Sequence, residues 1–236
     1  MFKGTRIRYG TAKHWRHIMI RRLLLLGLFF ALAFSAGAET FDEGWLNNVS
    51  FFNDTANDIN FIFLSPGDSD YWGPEILGSD RVLESRDALG FYIYYPDECN
   101  EFDIMAIDDE GNTAVIYDYT ICDGSEEEIQ FVNKDMRDDE PDMDFVTVYV
   151  ENDTIEVWYV FISPEDSEMW GVDYLDESTV LDTGDFVSFL FPMFDNDVTG
   201  YDLMAVDSDL DTYSFSFDID YSSDEDTYVI EIGDLD

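Results

Sequence analysis

The chain carries one stretch of sequence twice, and this repeat constrains its fold more than any other feature. "SPGDSDYWG" at 65–73 and "SPEDSEMWG" at 163–171 share the pattern Ser-Pro-x-Asp-Ser-x-x-Trp-Gly. Further matches follow, the longest being "FDIMAID" at 102–108 and "YDLMAVD" at 201–207. Self-similarity at a fixed spacing indicates one structural unit, here of about 90 residues, present in two copies.

Each copy reads as β structure. Short runs rich in Val, Ile, Phe and Tyr are separated by turn residues, which predicts six or seven strands per copy and no long amphipathic helix. The predicted fold class is all-β, with two tandem antiparallel β-sandwich modules behind an N-terminal signal peptide. The expected boundaries are a signal peptide at 1–38, a first module at 45–133, an acidic linker at 134–144 and a second module at 145–234.

Two hairpins are expected from turn residues. "VTVYVENDTIEVWYVFI" contains two β-rich runs around Asn152-Asp153, residues that tolerate the backbone of a tight turn. "FDIMAIDDEGNTAVIYDYTI" turns at "DDEG", where Gly111 suits positive φ. The remaining strands are predicted at "GFYIYY" and "EEIQFV" in the first copy and at "FVSFLF" and "TYVIEI" in the second.

The repeated motif itself is interpreted as structural. Ser suits the cap of a helical turn, Pro suits its first position, and Gly suits its end. The Trp is then expected to fold back over the open end of each sandwich, and the alternative is a Trp platform for a sugar or a peptide. The motif residues are Ser65, Pro66, Trp72 and Gly73 in the first copy and Ser163, Pro164, Trp170 and Gly171 in the second.

The N-terminus predicts export. Residues 1–22 contain seven Lys and Arg and no acid, and the apolar run "LLLLGLFFALAF" follows them. Ala36-Gly37-Ala38 fits the small-x-small cleavage pattern, so a secretory signal peptide cut after Ala38 is expected. The run is too short for a transmembrane helix, which needs about 20 residues. The sequence "MIRR…SAGA" from Met19 is already a complete signal, so Met1 and Met19 both remain candidate starts. A periplasmic or extracellular location follows.

The exported part is strongly acidic. All 54 acidic residues follow Ala38, against four basic ones, which gives a net charge of −50. The four are Arg81, Arg86, Lys134 and Arg137. Such a surface disfavours nucleic acid and anionic membranes, because binding phosphates requires Lys and Arg. Two interpretations remain open: a surface adapted to salty surroundings, or specific binding of divalent cations.

Several chemistries are excluded by composition. His14 and His17 both lie in the leader, so the exported part lacks the histidine that Ser-His-Asp and Cys-His systems need. Two cysteines are too few for a thiolate zinc site, and no Gly-rich phosphate loop is present. Among so many acids, a pair of catalytic carboxylates has no distinctive sequence signal. A non-enzymatic protein is therefore predicted.

The two cysteines are predicted to pair. If the hairpin turns about Glu110-Gly111, Cys99 and Cys122 lie opposite each other on its two strands. An exported protein meets an oxidising compartment, where such a pair forms a disulfide. A reactive thiol pair is the alternative, but the C-x-x-C spacing and nearby basic residues typical of one are missing.

One stretch is a candidate calcium site. In "DSDLDTYSFSFD", Asp207, Asp209, Asp211 and Asp218 occupy positions 1, 3, 5 and 12 of an EF-hand-like loop. Thr212 replaces the usual Gly at position 6, and the alternating "TYSFSFDI" is typical of a strand. An acidic hairpin turn is the competing interpretation, so Ca²⁺ is the only cofactor that the sequence suggests.

The motif set resembles a small, uncharacterised β-domain of exported bacterial proteins. The resemblance rests on Ser-Pro…Trp-Gly, on (Tyr/Phe)-Asp-(Leu/Ile)-x-Ala-x-Asp and on the flanking Cys99 and Cys122. It covers most of both copies, although the second copy has no Cys and has Leu210 at the turn Gly. It implies an exported β module and no catalysis. The predicted function is a non-enzymatic binding or structural module of the bacterial envelope, with a protein or glycan partner; the alternatives are a calcium-dependent binding module and a carboxylate-dependent glycan hydrolase.

Overall fold

A computed structural model describes residues 41–78, 81–95, 99–122, 127–138, 144–175, 179–193, 200–219 and 225–236. The predicted signal peptide lies outside these ranges. Within them the chain is built from β-strands, with short 3-10 turns at Glu43–Trp45 and Ile232–Asp234, which confirms the all-β prediction. None of the helices in this part of the chain is long and apolar enough to cross a membrane.

The first copy contributes six strands to two sheets. They are β1 (Leu46–Asp54), β2 (Ile59–Pro66), β3 (Ala88–Tyr94), β4 (Cys99–Asp108), β5 (Thr113–Cys122) and β6 (Glu127–Val132). One sheet has the order β6-β1-β3, extended at its edge by β9 (Gly171–Val172) from the second copy, and the other has the order β2-β4-β5.

The second copy repeats this topology. Its strands are β7 (Asp144–Asn152), β8 (Val157–Pro164), β9, β10 (Phe186–Met193), β11 (Gly200–Asp207), β12 (Thr212–Asp218) and β13 (Glu225–Ile230). The sheets run β10-β7-β13 and β12-β11-β8, so each strand of the first copy has an equivalent. The module boundaries drawn from the sequence stay a prediction.

The hairpin expected around Asn152-Asp153 is wrong. Strands β7 and β8 lie in different sheets: β7 pairs with β10 and β13, and β8 pairs with β11. The Asn residue therefore sits where the chain passes from one sheet to the other, and β1 and β2 are connected in the same way. Asn and Asp favour a tight turn both between paired strands and between strands of different sheets, so the turn residues alone did not distinguish the two connections.

The hairpin around "DDEG" is correct. Strands β4 and β5 are antiparallel, and Gly111 has φ of +81° at the turn. The register shifts between Phe102 and Ile104, and Cys99 lies directly opposite Cys122. The two cysteines form the predicted disulfide.

The closing strands pair in parallel. Strand β6 runs parallel to β1, and β13 runs parallel to β7, whereas the other pairings between strands are antiparallel. The chain leaves β5 in one sheet and returns to the other sheet beside its first strand. The periodicity of a strand does not reveal the direction of its partner, so the sequence identified these strands without their pairing.

Each copy has its own core between its two sheets. Val49 and Phe51 of β1 and Ile62 and Leu64 of β2 are buried in the first, and Val148 and Ile162 are among the residues buried in the second. Strands β4 and β11 are buried on both faces over "IMAI" and "LMAV", which explains why these segments are continuously apolar. Their outer faces are covered at the boundary between the copies.

That boundary contains two further apolar clusters. Tyr94 of the first copy packs with Phe161, Met204 and Val206 of the second, together with Phe41. In the other direction, Phe145 of the second copy packs against Phe63, Met105 and Ile107 of the first. The covered residues are equivalent in the repeat, since Phe161, Met204 and Val206 match Phe63, Met105 and Ile107. Each copy therefore covers the outer face of the other copy's second sheet.

The boundary between the copies as the candidate functional site

The Ser-Pro motif ends a strand and starts a β-turn. Ser65 and Pro66 are the last residues of β2, and the Ser69 N–H donates to the Pro66 carbonyl at 3.2 Å. The helical turn predicted here is therefore wrong, because Pro66 belongs to the strand instead of opening a helix. The Ser65 hydroxyl instead accepts a 2.7 Å bond from the Gly73 N–H, which ties the two ends of the motif together.

The two motifs hold each other. The Ser69 hydroxyl donates to Asp166 at 2.6 Å, and the Ser167 hydroxyl donates to Asp68 at 2.8 Å. The other oxygen of Asp166 accepts the Asp70 N–H, and the other oxygen of Asp68 accepts the Glu168 N–H. In these hydrogen bonds each motif makes the same contacts to the other, as at an interface with approximate twofold symmetry. Here the two sides of the interface belong to one chain. It gives Asp and Ser a reason to recur in both copies.

The tryptophans of the motif cover the boundary clusters. Trp72 packs, partly buried, against the cluster of Phe63 and Met105, and Trp170 packs against the cluster of Phe161 and Met204. These residues lie on the outer faces of the second sheets, so the tryptophans do not plug the ends of the two main cores. The Tyr201 hydroxyl also donates to the Trp72 carbonyl at 3.0 Å across the boundary.

Two buried acids lie just after the motifs. The Glu75 side chain, in a residue only 2% exposed, accepts the N–H groups of Ile62 and Leu77 through Oε1 and of Gly78 through Oε2. The equivalent Asp173 accepts the N–H groups of Val160 and Leu175. Both carboxyl groups thus satisfy the backbone of the bend that follows the motif.

The backbone of these acids joins the copies. The Glu75 N–H donates to Leu190 of β10 at 2.8 Å, and the Asp173 N–H donates to Tyr92 of β3 at 2.8 Å. Only the second copy forms a strand here, β9, which pairs with β3. The residue that matches Val172 is Pro74, which has no N–H to donate to a ladder.

Burial changes the acidity of Glu75. Desolvation raises the pKa of its carboxyl group to about 7, although three backbone N–H groups and the Arg81 guanidinium act in the opposite direction. Burial, and then the charge of Glu75, raise the pKa of the nearby Tyr174 hydroxyl well above its ordinary value. Tyr174 therefore stays neutral near pH 7, and Glu75 is poised between its two forms.

A cavity of about 400 Å³ lies beside Glu75. The first copy contributes the segment 75–78 and Arg81, and the second contributes Tyr174, Leu175, Thr179 and part of β10. Its lining combines aromatic rings with the Arg81 guanidinium and the Ser188 and Thr179 hydroxyls. The described lining residues are Glu75, Ile76, Leu77, Gly78, Arg81, Tyr174, Leu175, Thr179, Phe186, Val187, Ser188 and Phe189. The cavity is an open groove, and its volume lies within the range of small-ligand sites.

The four acids of the EF-hand-like pattern are not gathered. Asp207 ends β11 beside the turn, whereas Asp218 pairs with Gly200 at the opposite end of the hairpin. The Asp207 carboxylate accepts the N–H groups of Asp209 and Asp211 and the hydroxyl of Tyr213. Among the described residues no group of three or more acids, Cys or His is placed to hold a metal ion. Calcium binding by the protein stays a prediction.

Asp108 occupies the same position in the first copy. Burial by itself acts to raise its pKa, but hydrogen bonds from Asn112 and Asn57 outweigh this, and the pKa of Asp108 lies below its ordinary value. Its carboxylate also accepts the Glu110 N–H at 3.0 Å. The equivalent acids Asp108 and Asp207 therefore fix the hairpin turns.

The Asn-x-Thr triplets are buried. Asn53 and Asn152 are both 0% exposed, and each amide donates to two backbone carbonyls while accepting the N–H and hydroxyl of the Thr two residues on. This geometry is that of Asn side chains that stabilise a bend of the backbone. The fold uses these side chains to hold the crossing between sheets.

Glu75 and Asp173 were missed by the sequence analysis. The available signal was position: both acids stand two residues before a matched Leu, Leu77 or Leu175, and in the same place in each copy. In so acidic a chain an Asp or Glu carries little information by itself. An acid that recurs at the same repeat position inside an apolar stretch carries more.

No protein-family model and no curated protein matches the chain. Two solved structures show a weak likeness. One is CBMbc, a family CBM26 module from Eubacterium rectale in complex with maltoheptaose, with 10% identity over 78% of this chain and 91% of that one, at a TM-score of 0.24. The other, from Bacteroides ovatus, is designated a "putative adhesin", with 11% identity over 80% and 91% and a TM-score of 0.26. Likenesses this weak carry no functional inference.

Proposed function

We propose that the exported part of the chain is a non-enzymatic binding module of the bacterial envelope. The observation that supports this most directly is the cavity of about 400 Å³ at the boundary between the copies, which is lined from both of them. Reciprocal hydrogen bonds and two shared apolar clusters hold this boundary. A site fixed in this way is suited to binding, because the protein loses little conformational entropy when the ligand binds.

A glycan hydrolase is the rival from another class. Such enzymes use two carboxyl groups about 5–9 Å apart, one of them with a raised pKa. Glu75 has the raised pKa, but it is the only acid among the described residues that line the cavity. Its two oxygens already accept three backbone N–H groups, which favours a structural role over proton transfer.

The module is tested by saturable binding without turnover. Purified protein of residues 39–236 is mixed with insoluble envelope polysaccharide and with envelope protein, in low salt and in 1 M NaCl, and the bound fraction is measured by co-sedimentation. We expect saturable binding that persists in high salt, with no release of reducing sugar. Release of sugar that Glu75→Gln abolishes would favour the hydrolase, and no saturable binding to either fraction would contradict the module.

A further inference from the structure

We propose that the cavity between the copies binds one or two sugar units of a neutral glycan, with the ring of Phe186 as the stacking surface. This inference rests on the proposed binding function and gives that function a ligand class and a site. It is carried by three features of the lining: an exposed aromatic ring, a small set of polar groups, and the charge of the surroundings.

Phe186 has no structural counterpart in the first copy. Its side chain is 65% exposed at the start of β10, and Ala88 stands at the equivalent place in β3. The neighbouring core positions are the same in both copies, Phe91 and Phe189, and both are buried. The Phe186 ring makes an edge-to-face contact with Tyr149 of β7, with 5.7 Å between the ring centroids, and this contact leaves most of the side chain exposed. An exposed ring at the edge of a cavity is a ready contact for a ligand.

Two polar side chains that line the cavity in the second copy have no polar equivalent in the first copy. Ser188 stands where the first copy has Gly90, and Tyr174 stands where the first copy has Ile76. The Arg81 side chain is held in place, because its Nε donates to the Leu77 carbonyl at 2.7 Å. A sugar ring presents an apolar C–H face and a rim of hydroxyl groups, so it matches a cavity that offers an aromatic ring, a guanidinium and hydroxyl groups.

Charge selects a neutral ligand. An anion would have to approach residues 39–236, which carry a net charge of −50, and Arg81 is the only cationic residue of the described lining. A divalent cation would meet Arg81 and the carboxyl group of Glu75, whose oxygens already accept backbone N–H groups. A polar, uncharged molecule avoids both the repulsion of an anion by the net negative charge and the repulsion of a cation by Arg81.

The test uses exposed residues, so that folding is preserved. The protein of residues 39–236 is titrated by calorimetry with neutral gluco-, manno-, galacto- and xylo-oligosaccharides, and with uronic acid oligosaccharides as the charged comparison. We expect saturable binding of at least one neutral series, about tenfold weaker in Phe186→Ala and restored in Phe186→Tyr. Tyr117→Ala is the matched control, because Tyr117 is 55% exposed and lies outside the cavity lining.

The outcomes separate the site from the function. If a neutral oligosaccharide binds equally to wild type, Phe186→Ala and Tyr117→Ala, the cavity is wrong and the binding module stands. If only the uronic acid series binds, the ligand class is wrong. If no oligosaccharide binds while the co-sedimentation experiment succeeds, the glycan proposal is overturned and the partner is of another kind. If co-sedimentation also fails, the proposed function falls with it.

Discussion

The two copies share a set of buried polar residues and differ in what surrounds them. Asn53 and Asn152, Asp108 and Asp207, and Glu75 and Asp173 each satisfy backbone groups at equivalent bends. The first copy alone has the disulfide, and the second alone has β9 and the exposed Phe186. The comparison separates the residues that both copies use to form the fold from the features that only one copy has.

The same comparison shows that the copies depend on each other. Phe63 and Phe161 are equivalent, both are 0% exposed, and each packs against rings of the opposite copy. A copy separated from its partner would expose these residues. Strong coupling between the copies follows, and it leads to the prediction with the largest effect.

Phe63→Ala and Phe161→Ala should each lower the free energy of unfolding by about 3–5 kcal/mol, the usual cost of truncating a large buried aromatic residue. Because each ring lies at the shared boundary, each variant should unfold in a single transition, measured by calorimetry and by tryptophan fluorescence. Tyr117→Ala is the control for an exposed ring. Two separate transitions in either variant would show that the copies are independent.

The disulfide should contribute about 3 kcal/mol, as the chain-entropy model gives for a loop of this size. Cys99 and Cys122 are 23 residues apart, and the second copy has no equivalent. The double variant Cys99→Ser/Cys122→Ser, compared with wild type in denaturant titrations, should lose this amount. If the copies are coupled, the loss appears in the unfolding of the whole protein, and a loss confined to one of two transitions would break the comparison.

These two features differ in how visible they were in the sequence. The Cys99–Cys122 pair followed from the hairpin turn, because a local register needs only the turn and a count of residues. The boundary clusters did not, since the partner of Phe63 is Phe145 of the other copy and no local pattern marks that contact. The repeat was evident in the sequence, whereas the reciprocal pairing of Asp68 with Ser167 was not, because sequence spacing does not give the placement of one copy against another. The cavity depends on that placement and was missed for the same reason.

Glu75 and Asp108 should respond to pH in opposite directions. The pKa of Glu75 is raised from 4.5 to about 7, so its contribution to stability is fully present below pH 4.5 and is lost as the pH rises through 7. The pKa of Asp108 is lowered, so its contribution is present above pH 3.8 and is lost as the pH falls below that value.

Thermal unfolding between pH 2 and pH 8 tests this pair. Relative to wild type, Glu75→Gln should flatten the dependence between pH 4.5 and pH 7, by an amount on the order of 3 kcal/mol. Asp108→Asn should leave that range unchanged and remove stability at neutral pH. Each variant differs from wild type at one carboxyl group, so the differences isolate the two residues. Equal slopes in wild type and Glu75→Gln would show that Glu75 is not buried as described.

The hairpin turns give a smaller difference of about 1 kcal/mol. Gly111 and Leu210 are equivalent, with φ of +81° and +67°. Positive φ costs a residue with a Cβ about 1 kcal/mol more than it costs Gly, so Leu210→Gly should stabilise the protein by that amount. Gly111→Leu should destabilise it by a similar amount. Chemical denaturation measures both, and a loss of stability in Leu210→Gly would mean that the half-exposed Leu side chain contributes more than its backbone costs.

The smallest expected effect concerns calcium, and it decides between the two interpretations of the acidity. Asp207 is occupied by three donors and Asp218 lies at the far end of the hairpin, so Asp209→Asn should change the melting temperature little, with or without Ca²⁺. Repulsion among surface charges should fall as the Debye length shrinks from about 30 Å at 0.01 M salt to about 3 Å at 1 M, and stability should therefore rise with NaCl. In 1 M NaCl that screening is already complete, so added Ca²⁺ should have no saturable effect.

A saturable rise in melting temperature at micromolar to millimolar Ca²⁺ is what binding linkage requires of a real site. If wild type shows such a rise, Asp209→Asn abolishes it and the equivalent first-copy variant Glu110→Gln retains it, the second copy alone has a calcium site. The acidic residues of that turn would then bind a specific cation, and adaptation of the surface to salt would not explain them.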